Sequence, residues 1–239
     1  MAEVAHLPAI AAADAVAHAS RHSLLVRITH WLTSIGVAGL LVSGIAILIA
    51  HPRLYWGETG SLETPALVEL PLTLTLGHSG WGRYLHFASA WACVLTGAVY
   101  VWSGIASGHV RRDLLPARRD LSWSSLSGTL ARHLRPTAMR DARAPYNPFQ
   151  RVAYLAVVFV LFPLAIVTGL AMSPMVTSAL PPVVEVFGGH QSARTVHFVV
   201  ACAIALFVVV HLLMVSVTGA GARVGAMIAG GRPPEEEQR

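Results

Sequence analysis

The sequence predicts an all-α membrane protein, a bundle of four transmembrane helices. Three observations carry that prediction. First, the 239 residues are 54% hydrophobic and only 12% charged, about half the charged fraction of a soluble domain, with a mean hydropathy of +0.59. Second, apolar stretches lie at about 24–50, 81–105, 152–172 and 193–217, each long enough for the roughly 20 residues that cross a hydrocarbon layer of about 30 Å. Third, charge is segregated: residues 106–151 hold nine arginines against three aspartates, whereas the other connections are weakly acidic. Residues 1–23 then form an N-terminal tail, 24–218 the membrane domain and 219–239 a C-terminal tail.

The N-terminal stretch contains Glu3 and Asp14 and lacks a basic leading region, which argues against a signal peptide. The first span opens with RITHW, placing Arg27, His30 and Trp31 in its first turns, and carries Gly36, Gly39 and Gly44 further along. His30 and Gly44 are fourteen residues apart, so an imidazole and a bare backbone patch share a face. Residues 51–80 leave the membrane; Tyr55 and Trp56 suit the headgroup belt, and the apolar but proline-interrupted Thr64–Leu76 reads as an interfacial or re-entrant piece. The second span opens with GRYLHF, repeating an arginine three residues before a histidine as Arg83 and His86. The third has no histidine, bends at Pro163 and ends at Gly169. The fourth opens with ARTVHF, giving the same spacing a third time as Arg194 and His197, and adds His211 fourteen residues on. Cys93 and Cys202 fall inside spans and read as packing residues.

Four spans put both termini on one side, and the positive-inside rule makes that side cytoplasmic because the arginine-rich loop shares it. All 17 basic residues are arginines, concentrated in that loop, a pattern of topology and anionic lipid contact with no nucleic-acid partner. Direction sorts the histidines by depth. His30 and His211 lie near the cytoplasmic edge, and His86 and His197 near the outer edge, His197 and His211 being separated by about 21 Å of helix. His6, His18, His22, His109 and His133 read as exposed, and His51, His78 and His190 as lying at the outer edge.

An imidazole in lipid is costly without a partner. Bare zinc or copper wants more ligands than a pair supplies. Haem iron brings four ring nitrogens and needs only two axial ligands. No CxxCH is present, which excludes covalent c-type attachment and leaves b-type haem. Two haem b groups are therefore expected, one between His30 and His211 and one between His86 and His197. Arg27, Arg83 and Arg194 each sit one turn nearer the surface than a histidine, where a guanidinium either meets a haem propionate or snorkels to headgroups.

RITHW (27–31), GRYLHF (82–87), and ARTVHF (193–198) with His211 resemble the bacterial cytochrome b561-like family, which includes the membrane cytochrome b subunits of nickel–iron hydrogenase, formate dehydrogenase and thiosulfate reductase. HPRLYWGETG (51–60) and GLAMSP (169–174) further resemble the thiosulfate-reductase branch. The resemblance covers about residues 20–220. It implies a cytochrome b domain in the bacterial inner membrane, with His30, His86, His197 and His211 as iron ligands. It also implies a quinone as exchangeable substrate and a peripheral, periplasmic partner: a molybdopterin oxidoreductase, with an iron–sulfur or cytochrome c link. The expected activity is electron transfer between the quinone pool and that subunit of a respiratory complex, with quinone reductase or quinol oxidase chemistry and no other catalytic residue. The alternatives are a stand-alone cytochrome b561 passing electrons from superoxide to quinone, and a metal or proton transporter or membrane anchor.

Overall fold

The computed structural model describes residues 23–60, 64–71, 80–108, 148–217 and 219–230. The expectations for His6, His18, His22, His78, His109 and His133, and for nearly all of the arginine-rich loop, lie outside the described residues. Four described helices are long and apolar enough to cross a membrane, Leu24–Ala50, Gly80–Ala106, Gln150–Ala171 and His190–Val217. The chain is an all-α, multi-pass membrane protein. Its apolar side chains point mostly outward, as Ile35, Val42, Leu95, Val99 and Leu206 do. That is the expected arrangement where the solvent is hydrocarbon.

Helix α1 (Leu24–Ala50) begins at Ser23, whose hydroxyl accepts the Val26 N–H at 3.3 Å. It ends at His51, just before Pro52. Helix α2 (Gly80–Ala106) packs along it. The seam is made of small residues: Gly36, Gly39, Ser43 and Ala46 on α1 meet Gly82, Ser89 and Cys93 on α2. A methyl carbon on Gly36 would lie 2.5 Å from Cys93 Sγ, and one on Gly39 would collide with the Ser89 hydroxyl. Thr33 and Thr96 share a hydrogen bond of 2.9 Å across the same seam. Lipid offers no hydrophobic drive between helices, so such close backbone approach and interhelical hydrogen bonds hold the pair. Gly36 and Gly39 thus serve helix packing, whereas Gly44 faces a histidine ring.

The third span is composite: α3 (Pro148–Ala156), a π-helical turn (Val157–Leu161) and α4 (Phe162–Ala171). Pro163 has no N–H for the Phe159 carbonyl. The wide turn lies immediately upstream, with Phe162 N–H reaching back five residues to the Val157 carbonyl. The span runs through Gly169 to Ala171, within a residue of the expected 152–172 end, as an isolated glycine inside a packed helix is tolerated. Short helices α5 (Pro174–Ala179) and α6 (Pro182–Glu185) lead to α7 (His190–Val217), the fourth span. Ala171, Val184 and Ala193 form a buried cluster that ties α4, α6 and α7 together.

The connection after α1 is seated on the start of α7. Strand β1 (Arg53–Leu54) pairs antiparallel with β2 (Val68–Glu69), so part of the stretch expected to be interfacial is a small hairpin. Arg53 and Glu69 join at 2.7 Å, and the Glu69 hydrogen bond and charge hold the guanidinium above its usual range. Tyr55 is buried, contrary to its expected place among the headgroups, and its carbonyl accepts the Thr195 hydroxyl at 2.7 Å. Trp56 is exposed. Gly57 accepts the Gln191 and Ser192 N–H groups that the start of α7 leaves unmet. Gly57 and Gly189 both have φ above +100° and approach so closely that a methyl carbon on Gly189 would lie 2.6 Å from the Gly57 carbonyl. Beyond α7 the expected C-terminal tail contains a further helix, α8 (Ala220–Ala229), bounded by the left-handed Gly219 and Gly230.

Gly36→Leu should destabilise the protein by about 1–3 kcal/mol through overpacking of the α1–α2 seam. Ala38→Leu, on the exposed face of the same helix, should be near neutral. Thermal unfolding in detergent checks both.

Candidate functional site

Histidines from three helices converge in two layers. His30 on α1 faces His211 on α7, with ring centroids 6.4 Å apart and planes inclined at 55°. His86 on α2 faces His197 on α7 at 6.2 Å and 61°. Since α7 carries one member of each pair fourteen residues apart, the layers lie about 21 Å apart along that helix.

Each layer has its own surroundings. His211 stacks on Phe207, one turn earlier, with centroids 5.8 Å apart and planes at 19°. Tyr154 meets both rings edge-on at 6.3 and 5.9 Å, and Trp31 lies 5.6 Å from His30. The other layer is held by hydroxyls. Ser43 Oγ is 3.0 Å from His86 Nδ1, and Thr168 Oγ1 is 2.9 Å from His197 Nδ1. Gly44 and Gly169 clear the adjoining space: a methyl carbon on either would lie 3.9 Å from His86 Cε1 or 3.7 Å from His197 Cε1. The third span, which has no histidine, thus reaches the site through Thr168.

Two imidazoles bound to opposite sides of one metal, with bonds of about 2 Å each, hold their ring centroids about 6 Å apart. Both pairs have that separation, so the donor sets fit a bis-imidazole iron. Among the described residues no group of three or more His, Cys, Asp or Glu is gathered for a bare ion.

The structure places the arginines differently from one another. Arg27 donates from Nε to the Met227 carbonyl at 3.3 Å and from its terminal nitrogen to the Ile228 carbonyl. Trp31 Nε1 joins it on Met227 at 3.3 Å. A cation at the end of α8 suits the unpaired carbonyls there. Arg194 donates to the His51 carbonyl, tying α7 to the end of α1. Arg83 is exposed one turn above His86. At the same edge, His190 lies 3.6 Å from Glu58, whose carboxylate also accepts the His190 backbone N–H at 3.3 Å.

Sequence reading missed Ser43 and Thr168. A signal existed: VSGIA (42–46) and VTGLA (167–171) are near copies, each placing a hydroxyl residue before the glycine that faces a histidine.

A four-helix membrane bundle with two layers of paired histidines has the make-up of a membrane cytochrome, and the comparison with known families agrees. The chain belongs to the prokaryotic cytochrome b561 family, whose model matches residues 21–230. It is 30% identical over 195 residues to a protein of Azospira oryzae described as a putative protein-methionine-sulfoxide reductase subunit YedZ1, covering 82% of this chain and 89% of that one. No solved structure matches the chain. Family membership makes the protein a membrane-embedded component of electron transfer, and the family's name implies haem b.

Arg27→Ala should release α8 from the start of α1. Amide exchange at 220–229 should rise several-fold, while exchange in the cores of α1 and α7 stays unchanged.

Proposed function

We propose that the protein is a dihaem b-type cytochrome that carries electrons across the bacterial inner membrane between the quinone pool and a peripheral oxidoreductase. The observation that carries this reading is the presence of two imidazole pairs, each with the separation of a shared axial metal, stacked at two depths of one bundle. His30 and His211 would hold one haem and His86 and His197 the other. A haem held at each pair would supply single-electron transfer.

The chain's own residues do the rest. Helix α7 fixes the spacing of the layers, because both of its histidines ride on one rigid element. The α1–α2 seam and the π-helical third span set how closely the facing rings stand. The nine arginines of 106–151 orient the bundle with that loop and both termini in the cytoplasm, which puts the His86–His197 pair at the outer face. Arg83, exposed one turn above that pair, is the arginine left to meet a propionate at that edge. Oxidation of a quinol at the membrane surface releases two electrons and two protons. With haem held at both pairs, the electrons would reach a partner docked at the outer face and the protons would leave to the water on the side where the quinol is oxidised.

The partner is a periplasmic oxidoreductase, of molybdopterin type on the resemblance in HPRLYWGETG and GLAMSP, with an iron–sulfur or cytochrome c link where electrons must travel further. The description of the Azospira oryzae relative as a subunit of a putative protein-methionine-sulfoxide reductase favours a partner that reduces oxidised methionine. A stand-alone oxidoreductase feeding quinone is the competing reading, and it needs no second chain.

Pigment assay of the purified protein should give two haem b per chain with a sharp reduced-minus-oxidised alpha band. His197→Ala should bring this to one, with His30 and His211 retaining theirs. Equal loss of both haems from a folded variant would count against the pairing. Haem-free wild type, expressed with ample haem supply, would end the reading. Co-purification of a catalytic chain from the native membrane distinguishes the complex from the stand-alone form.

A further inference from the structure

We infer that Ser43 and Thr168 are positioning residues that choose the ligating nitrogen and fix the ring planes of the His86–His197 pair. Each acts from the span preceding its histidine in the chain. The inference rests on the reading of that pair as a haem site.

Each hydroxyl has one proton. Ser43 Oγ lies 2.6 Å from the Gly39 carbonyl and Thr168 Oγ1 lies 2.7 Å from the Leu164 carbonyl, one turn back on their own helices. A carbonyl only accepts, so the hydroxyl proton goes there. The hydroxyl oxygen is then left to accept from the imidazole, from His86 Nδ1–H at 3.0 Å and His197 Nδ1–H at 2.9 Å. A neutral imidazole protonated on Nδ1 keeps its lone pair on Nε2, the nitrogen then left to bind iron. Both hydroxyl residues are 0% exposed, so water cannot take over the contact. A hydroxyl that never touches iron thus selects the atom that does.

The device occurs twice. In VSGIA and in VTGLA the hydroxyl grips Nδ1 while the next residue, a glycine, leaves room beside Cε1 of the same ring. In both cases the gripped histidine opens the following span, in GRYLHF or ARTVHF. The chain therefore builds this layer from two like halves, one helix pair holding each imidazole. The bond also has an electronic consequence. A carbonyl–hydroxyl–imidazole chain raises the basicity of the ligand, which favours ferric over ferrous iron and lowers the potential of this haem alone.

The test is an optical redox titration, with low-temperature spin resonance of the ferric state, on the purified full-length protein carrying its haems. Wild type is compared with Thr168→Val, Thr168→Ser and Ser43→Ala. Thr168→Val and Ser43→Ala should move one of the two haem components to a more positive potential and shift its largest g value, leaving the other component in place. Thr168→Ser should restore both readouts. Loss of that one haem from Thr168→Val, with helical content intact and the haem kept in Thr168→Ser, also supports the assignment. Unchanged potentials and spectra in Thr168→Val and Ser43→Ala, equal shifts of both components, or a Thr168→Ser variant no different from Thr168→Val would overturn it. Haem-free wild type overturns the haem reading, and the assignment with it; haem-replete wild type with inert variants overturns the assignment alone.

Discussion

An imidazole inside a hydrocarbon layer is costly without partners, and the architecture gathers four such rings into two facing pairs. Two rings face each other across helices in each layer. In the His86–His197 layer Nδ1 of each ring is taken by a hydroxyl already anchored to its own helix. Neither contact is available within a single helix, so the histidines require the bundle as much as the bundle presents them. The cost of an unpartnered polar group in lipid makes this a condition on the fold.

Meeting it depends on how closely the helices approach. The α1–α2 seam is built from glycine, serine, alanine and cysteine, and its backbones lie so near that even a methyl group at Gly36 has no room. This brings Ser43 within hydrogen-bond reach of His86. On the other side the π-helical turn before Pro163 resets the phase of the third span, so that Thr168 and Gly169, beyond the proline, face α7. A proline that reads as a local bend in the sequence thus governs which residues of the span meet His197. At the membrane edge the glycine contact between Gly57 and Gly189 seats the first connection on the start of α7, and Arg194 ties α7 to the end of α1. The helix that carries one histidine of each layer is thereby held near one end by loop and backbone contacts.

Much of this was legible in the residue order. Four apolar stretches gave the spans, because hydrophobic length is a property of the chain alone. The histidines sorted into depths because a helix advances by a fixed rise, and the structure brings together the rings that share a depth. The arginines were less legible. Their spacing from the histidines suggests a common ligand, yet Arg27 and Arg194 donate to backbone carbonyls of α8 and of His51, groups that become neighbours only when distant segments fold together. Tyr55 is buried rather than exposed to headgroups, and the 64–71 stretch holds a strand paired with β1, for the same reason. Aromatic and proline-rich composition suits a membrane surface, and only the β1–β2 pairing turns that stretch back onto the end of the first span.

Sequence alone determined the class of protein, the number of spans and the depths of the four histidines, since these depend on composition, length and helical period. The tertiary structure decided which small residues separate helices and which face a ring, and where each guanidinium donates. It also decided that a span without a histidine contributes to the site. These depend on distances between residues 29 to 201 positions apart in the chain, which no local pattern encodes. The VSGIA and VTGLA copies lay visible in the chain throughout, but their meaning required seeing each hydroxyl beside the imidazole of the next span.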